Sequence, residues 1–147
     1  MKLSTKGRYA MRAMLDLATH YGDGLVFLKD VAARQEISER YLEHLFLSLK
    51  AAGLVNSTRG AKGGFMLAHP PSDIKLIEVM EVSEGQMSLV ECVDDPSACK
   101  RSPHCVTRDI WAELKVALEG ILGSMTLQDL VHKQREKDMK TVEMYNI

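Results

Sequence analysis

Apolar residues recur at helical spacing through most of the chain and stop at a few glycine- and proline-rich breaks. Ala10, Met14, Leu17, Ala18 and Tyr21 form one stripe, widened by Met11 and Leu15, which predicts a helix over 5–21. Ser4 or Thr5 suits its N-cap, and Gly22 and Gly24 end it. A short helix over 28–35 turns Val31 and Ala32 inward, and Glu36-Ile37 makes a turn. Ser38 suits the N-cap of the next helix, where Leu42, Leu45, Phe46 and Leu49 lie on one face and Gly53 stands just past the end. Leu54–Thr58 and Phe65–Ala68 then read as two short strands around RGAKGG, residues 59–64. Beyond Pro70-Pro71, the positions Ile74, Ile77 and Met80 predict a helix over 74–84, closed by Gly85.

The strongest helical pattern runs from Asp109 to Met125. Trp111, Leu114, Leu118, Ile121 and Met125 are spaced alternately by three and four, as on a coiled-coil seam, with Ile110 and Ala117 broadening the stripe. Asp109 sits where an N-cap belongs. The seam is too short for a free-standing coiled coil and suits a helix packed on its own domain and on a second subunit. A purely intramolecular core helix is the plainer reading. Thr126 is placed to cap a short helix, TLQDLVHK. From Gln134 the chain is polar and reads as a frayed tail, in which Met144, Tyr145 and Ile147 could dock on the body.

Between these helical patterns lies CVDDPSACKRSPHC, residues 92–105, which holds all three cysteines: Cys92, Cys99 and Cys105. It has almost nothing apolar to bury, so it reads as a loop ordered by something else. Thiolates converging on a metal are the obvious candidate. A 2Fe–2S cluster needs four ligands and leaves one to find, a Cys₃His zinc site is a rival, and a metal-free thiol set is a third option. The wide acidic, proline-containing spacers suit a cluster better than zinc, because no C-x2-C knuckle is present.

Helix, tight turn and helix, followed by a glycine-rich hairpin bearing Arg59 and Lys62, describe a winged helix-turn-helix. The second helix shows a polar outer face of Glu39, Arg40, Glu43 and His44. Charge agrees: residues 1–75 carry 11 Lys/Arg against 7 Asp/Glu, although the whole chain is at −1. A basic front half points modestly to a polyanion, and solvated faces also produce such splits. The fold expected is mainly α with a small β-hairpin wing. Its parts are a DNA-binding domain over 1–84, a cysteine segment over 85–108, a dimerisation helix and short helix over 109–132, and a tail over 133–147.

The chain has no 18-residue apolar run and no apolar leader, so no membrane span and a cytoplasmic location are expected. No P-loop, G-x-S-x-G or G-x-G-x-x-G motif is present, and the five histidines are scattered, so nothing argues for an enzyme.

MKLSTKGRYAMRAMLDLA, ISERYLEHLFLSLKAAGLVNSTRGAKGGFMLA, the cysteine segment, Trp111 and TLQDL occur together in one order. In that order they resemble the Rrf-two family of winged-helix regulators, which includes IscR-like, NsrR-like and CymR-like branches. The resemblance covers residues 1 to about 132. It implies a homodimeric repressor that binds palindromic double-stranded promoter DNA. It further implies one 2Fe–2S cluster per subunit on Cys92, Cys99 and Cys105, with control of iron–sulfur assembly genes. Arg40, Tyr41, Glu43 and His44 would face DNA, Glu43 accepting from a cytosine amino group, and Arg59 would reach a minor groove. The CymR-like branch lacks the cysteines and answers to an enzyme partner. The chain departs from the cluster-bearing branches at the fourth ligand. IscR-like members place a histidine three residues after the third cysteine, where Arg108 stands. NsrR-like members borrow an aspartate from near the partner's N-terminus, where Arg8 stands. His104 and Asp109 are the main remaining candidates, with Asp94 and Asp95 behind them.

Overall fold

The computed structural model describes residues 2–60 and 63–146. Helix α1, Thr5–Thr19, is the element on which the later helices and the wing converge, and its buried face carries Ala10, Ala13, Met14, Leu17 and Ala18. Ser4 caps it, its Oγ accepting the Gly7 N–H at 2.9 Å. The helix stops two residues before the expected end. The Tyr21 N–H bonds back to the Ala18 carbonyl in a tightened last turn, and Tyr21 itself is exposed.

Helix α2 spans Leu28–Gln35 and α3 spans Glu39–Ala51. The turn between them places Glu36 in the left-handed region at φ 54° and buries Ile37. Ser38 then caps α3 by accepting the Tyr41 N–H at 3.2 Å. Leu42, Leu45, Phe46 and Leu49 are all buried, so the rotation of α3 about its axis is fixed by its apolar stripe. Strands β1 (Val55–Thr58) and β2 (Gly64–Leu67) pair antiparallel, with Val55 opposite Leu67 and Thr58 opposite Gly64. Val26 adds a bridge to the hairpin, exchanging two 2.8 Å backbone hydrogen bonds with Phe65. Only glycine fits beside that bridge, because a Cβ at Gly64 would lie 2.7 Å from the Val26 carbonyl oxygen. Phe65 stacks on Phe46 at 4.6 Å between centroids, which packs the hairpin onto α3. This is the helix-turn-helix and wing expected from the pattern.

Helix α4 is Leu76–Glu84, two residues shorter at its start than expected. Ile74 and Lys75 are extended because they bridge to the α6–α7 junction: the Leu76 N–H reaches the Met125 carbonyl at 2.9 Å, and the Leu127 N–H reaches that of Ile74 at 3.0 Å. The inward set on α4 is therefore Leu76, Val79 and Met80, while Ile77 is only half-buried.

The cysteine segment is not an open loop. It holds a one-turn helix α5 (Glu91–Asp94) and 3-10 turns at Pro96–Ala98 and Ser102–His104, each turn started by a proline near its first position. Helix α6 then runs Val106–Ser124, three residues earlier than expected. Cys105, not Asp109, occupies its N-cap position. Asp109 lies within the first turn, where the helix dipole favours an acid.

Helix α7 runs Leu127–Tyr145, so the expected short helix and frayed tail are one continuous helix. A capping box starts it: the Thr126 N–H donates to Asp129 Oδ2 at 2.8 Å, and the Asp129 N–H donates to Thr126 Oγ1 at 3.2 Å. Good helix formers and a Gln134–Asp138 hydrogen bond at 2.9 Å carry it on, although no described residue beyond Val131 is buried: Met144 and Tyr145 stand exposed rather than docked, and Ile147 lies outside the described residues. Leu127 and Val131 dock its first turns into the common core. No helix among the described residues is long and apolar enough to cross a membrane.

Candidate nucleic-acid interface and cysteine segment

Burial of the Leu42/Leu45/Phe46/Leu49 stripe turns the opposite side of α3 to solvent, and Arg40, Glu43 and His44 are exposed there. Tyr41 is different. It is half-buried, and its ring meets that of Tyr9 edge-on at 5.4 Å, beneath the Arg12 guanidinium that stacks on Tyr9. Tyr41 thus belongs partly to the α1–α3 contact. Arg59 is exposed at the end of β1. Lys62 lies outside the described residues. Lys50 ties the end of α3 to the wing through a 2.6 Å hydrogen bond to Ser57 Oγ.

A brace joins α1 to α2, the helix that precedes α3 in the helix-turn-helix. Asp16 is a buried carboxylate on α1, gripped by Arg34 through Nε at 3.0 Å and a terminal nitrogen at 2.8 Å, and by Gln35 Nε2 at 3.0 Å. Arg12 adds hydrogen bonds to the side chain and carbonyl of Gln35. Burial opposes the charge on Asp16, but the hydrogen bonds from Arg34 and Gln35 outweigh it and hold the carboxyl below the usual carboxylate range. The sequence does carry a signal for this brace, because Asp16 interrupts an otherwise apolar run, Met14 to Ala18.

The other end of α1 is joined to the route into the cysteine segment. Glu84, the last residue of α4, accepts from both the backbone N–H and the hydroxyl of Ser4. Lys2, Leu3 and residues Gln86–Leu89 line an apolar cleft there with Leu114 and Leu118 of α6. Among the described residues nothing buries the outer face of α6: no residue of the helix is buried, and Ile110, Trp111, Leu114, Leu118 and Ile121 are exposed, Ile121 by 60%.

All three cysteines are free thiols, Cys99 exposed and Cys92 and Cys105 half-buried. Among the described residues no three His, Cys, Asp or Glu side chains are grouped closely enough to hold a metal ion. The donor types suit an iron–sulfur cluster, but their arrangement here does not converge on one. The Cys105 thiol is drawn below its usual range, first by the Thr107 hydroxyl at 3.2 Å and then by the amides opening α6.

Two of the candidates for a fourth ligand, Asp94 and Asp95, are engaged elsewhere. Asp94 pairs with Lys115 at 2.6 Å and accepts from the Ser88 hydroxyl, which together lower its pKa. Asp95 accepts from the Ser97 backbone at 3.0 Å and hydroxyl at 2.6 Å. His104 and Asp109 are exposed. Arg108 donates from Nε to the Cys92 carbonyl at 2.8 Å. The Lys115–Asp94 and Arg108–Cys92 ties have no signature in the sequence, since each joins residues of no common period.

A family described as Rrf2, iron-dependent transcriptional regulator, matches residues 3–133. The transcriptional regulator IscR of Photorhabdus laumondii is 39% identical over 139 residues, covering 95% of this chain and 84% of its own. The solved structure of T. potens IscR superposes with a TM-score of 0.77 at 42% identity, covering 93% of this chain and 90% of that one. The structure of CymR, the global cysteine regulator of B. subtilis, does so with a TM-score of 0.76 at 38% identity, covering 90% and 98%. These relatives are transcriptional regulators rather than enzymes, and the two branches are about equally similar to this chain.

Proposed function

Because the chain belongs to the Rrf2 family of transcriptional regulators, we propose that it is a cytoplasmic repressor that binds palindromic promoter DNA as a homodimer. The observation that carries this reading is the outward side of α3. Its apolar face is locked in the core, so Arg40, Glu43 and His44 are presented together to solvent, flanked by the wing residue Arg59. Such a helix enters the major groove, where Glu43 can accept from a cytosine amino group and Arg40 can reach base edges or phosphates. Two copies joined along the uncovered side of α6 would set two α3 helices one DNA turn apart.

The regulated genes in this reading are those of iron–sulfur cluster assembly. Cys92, Cys99 and Cys105 would hold a 2Fe–2S cluster, which when bound supplies one-electron redox chemistry and a group readily lost when a ligand is weak. The chain's own contribution is mechanical. Arg108 and Lys115 tie the cysteine segment to the first half of α6, and Glu84 ties its approach to Ser4 at the start of α1. Rearrangement of the segment is thereby coupled to the dimer helix and to the DNA-binding half. Nitric oxide or redox state could act as the signal through the same three thiols.

A second reading is a cluster-free regulator controlled by an enzyme partner, as in the CymR-like branch. Arg108, whose guanidinium offers no ligand lone pair and is spent on the Cys92 carbonyl, favours it, as does the lack of a converged donor group among the described residues. Anaerobic purification followed by promoter footprinting tests both. Coloured protein with thiolate-to-iron absorption and a footprint that changes on cluster loss supports the first. Colourless, iron-free protein after reconstitution, with an unchanged footprint in Cys92→Ala, supports the second.

A further inference from the structure

We propose that Leu47 reads a base: its side chain covers the 5-methyl group of a thymine in the major groove. Leu47 lies seven residues after Arg40, four after Glu43 and three after His44, so all four share the outward stripe of α3. It is 64% exposed on a helix whose rotation is fixed by the burial of Phe46 and Leu49 on either side, and it cannot turn inward. It borders a cleft whose other walls include Lys6 of α1, Tyr41, His44 and Ser48.

An apolar side chain within this polar stripe offers nothing to a phosphate. Among the base edges of the major groove, the thymine methyl is the apolar feature, and apolar side chains read it by contact. The occupant is DNA rather than a protein surface because Lys6 lines the same cleft and Arg40 lies about two turns earlier on the same stripe, both with positive charge suited to phosphates. Glu43 is the acid nearest Leu47 on the stripe, and it matches a cytosine amino group one helical turn away. The inference rests on the DNA-binding reading above and adds a base preference to it.

The test begins with full-length protein selecting duplexes from a random library at fixed salt. Each thymine of the selected duplex is then replaced singly by deoxyuridine, which removes only the methyl group. One position per half-site is expected to lose about fourfold in affinity, the worth of one buried methyl. Leu47→Ala, which keeps a strong helix former at an exposed site, is expected to abolish that difference and leave the effects of substituting other bases intact. Enriched duplexes with no position whose thymine-to-uracil ratio depends on residue 47 would overturn the assignment alone. A library that yields no enriched sequence would overturn the DNA-binding reading and this assignment with it.

Discussion

Arg108 donates a 2.8 Å hydrogen bond from Nε to the backbone carbonyl of Cys92, joining the first turn of α6 to the residue that carries the first thiol. With the Lys115–Asp94 pair about two turns further along α6, it anchors the front of the cysteine segment to the helix that follows the segment's end. The residue that replaces a ligand in the resembling proteins thus has a different task here.

This anchoring separates two substitutions. Arg108→Ala should increase amide hydrogen exchange across 91–99 in metal-free protein, with little change in α1 or α3. Arg108→His removes the same anchor and restores an imidazole where the IscR-like branch keeps one. Iron and sulfide per subunit after anaerobic reconstitution, and the decay of visible absorption in air, should both favour Arg108→His over the native chain. Equal loading and equal decay in the two proteins would count against a cluster held by this segment.

The helix-turn-helix and wing were legible because each boundary has local chemistry: Ser4 and Ser38 as caps, Gly53 and Gly64 where the backbone needs them, and buried stripes at regular spacing. The later third was less so. Asp109 looked like a cap, but Cys105 holds that position because the turn at Ser102–His104 delivers the chain to α6 earlier. The polar stretch after Gln134 lacked an apolar stripe, yet propensity and the Thr126–Asp129 box keep it helical without burial. Tyr41 shows the limit at the candidate interface. Sequence places it on α3, while its contact with Tyr9 depends on how α1 crosses.

Asp16→Asn should leave the Arg34 guanidinium without its carboxylate and weaken the seat of α2 behind α3. Removing one partner of a buried pair costs several kcal/mol, and Arg34 is partly exposed, so a loss of about 2–3 kcal/mol is expected in denaturant unfolding at pH 7. The folded-state pKa of Asp16 is lowered, so its contribution is present above the ordinary aspartate value of about 3.9 and is lost as pH falls through the lower folded value. The gap between native and Asp16→Asn unfolding midpoints should therefore be wide at pH 7 and narrow below pH 4. A gap that does not change with pH would place the loss in packing rather than charge.

Ile121→Glu places a charge on the uncovered side of α6 without touching the core of its own chain. If that side joins two copies, sedimentation velocity should show a dimer for the native protein and a monomer for the variant at the same concentration. The thermal midpoint of the domain core should fall far less than its DNA affinity does, because a palindromic site is then met by one α3 at a time. A variant that remains dimeric would move the interface elsewhere.

Arg59 and Glu43 should fail in different ways, and the difference separates positioning from reading. Arg59 is exposed at the wing, so Arg59→Ala should weaken binding to all sequences alike and reduce the slope of log affinity against log salt by about one, the loss of one phosphate contact. Glu43 carries the wrong sign to attract phosphates, so its value lies in what it accepts from. Glu43→Ala should leave the salt slope unchanged, or steepen it slightly as repulsion is removed. It should also relax preference at one base pair per half-site by about 1–3 kcal/mol. Titrations of selected and single-base-changed duplexes at several salt concentrations measure both quantities. A uniform loss with Glu43→Ala would assign it to holding α3 in place, because a residue that reads a base cannot lose affinity equally for every sequence.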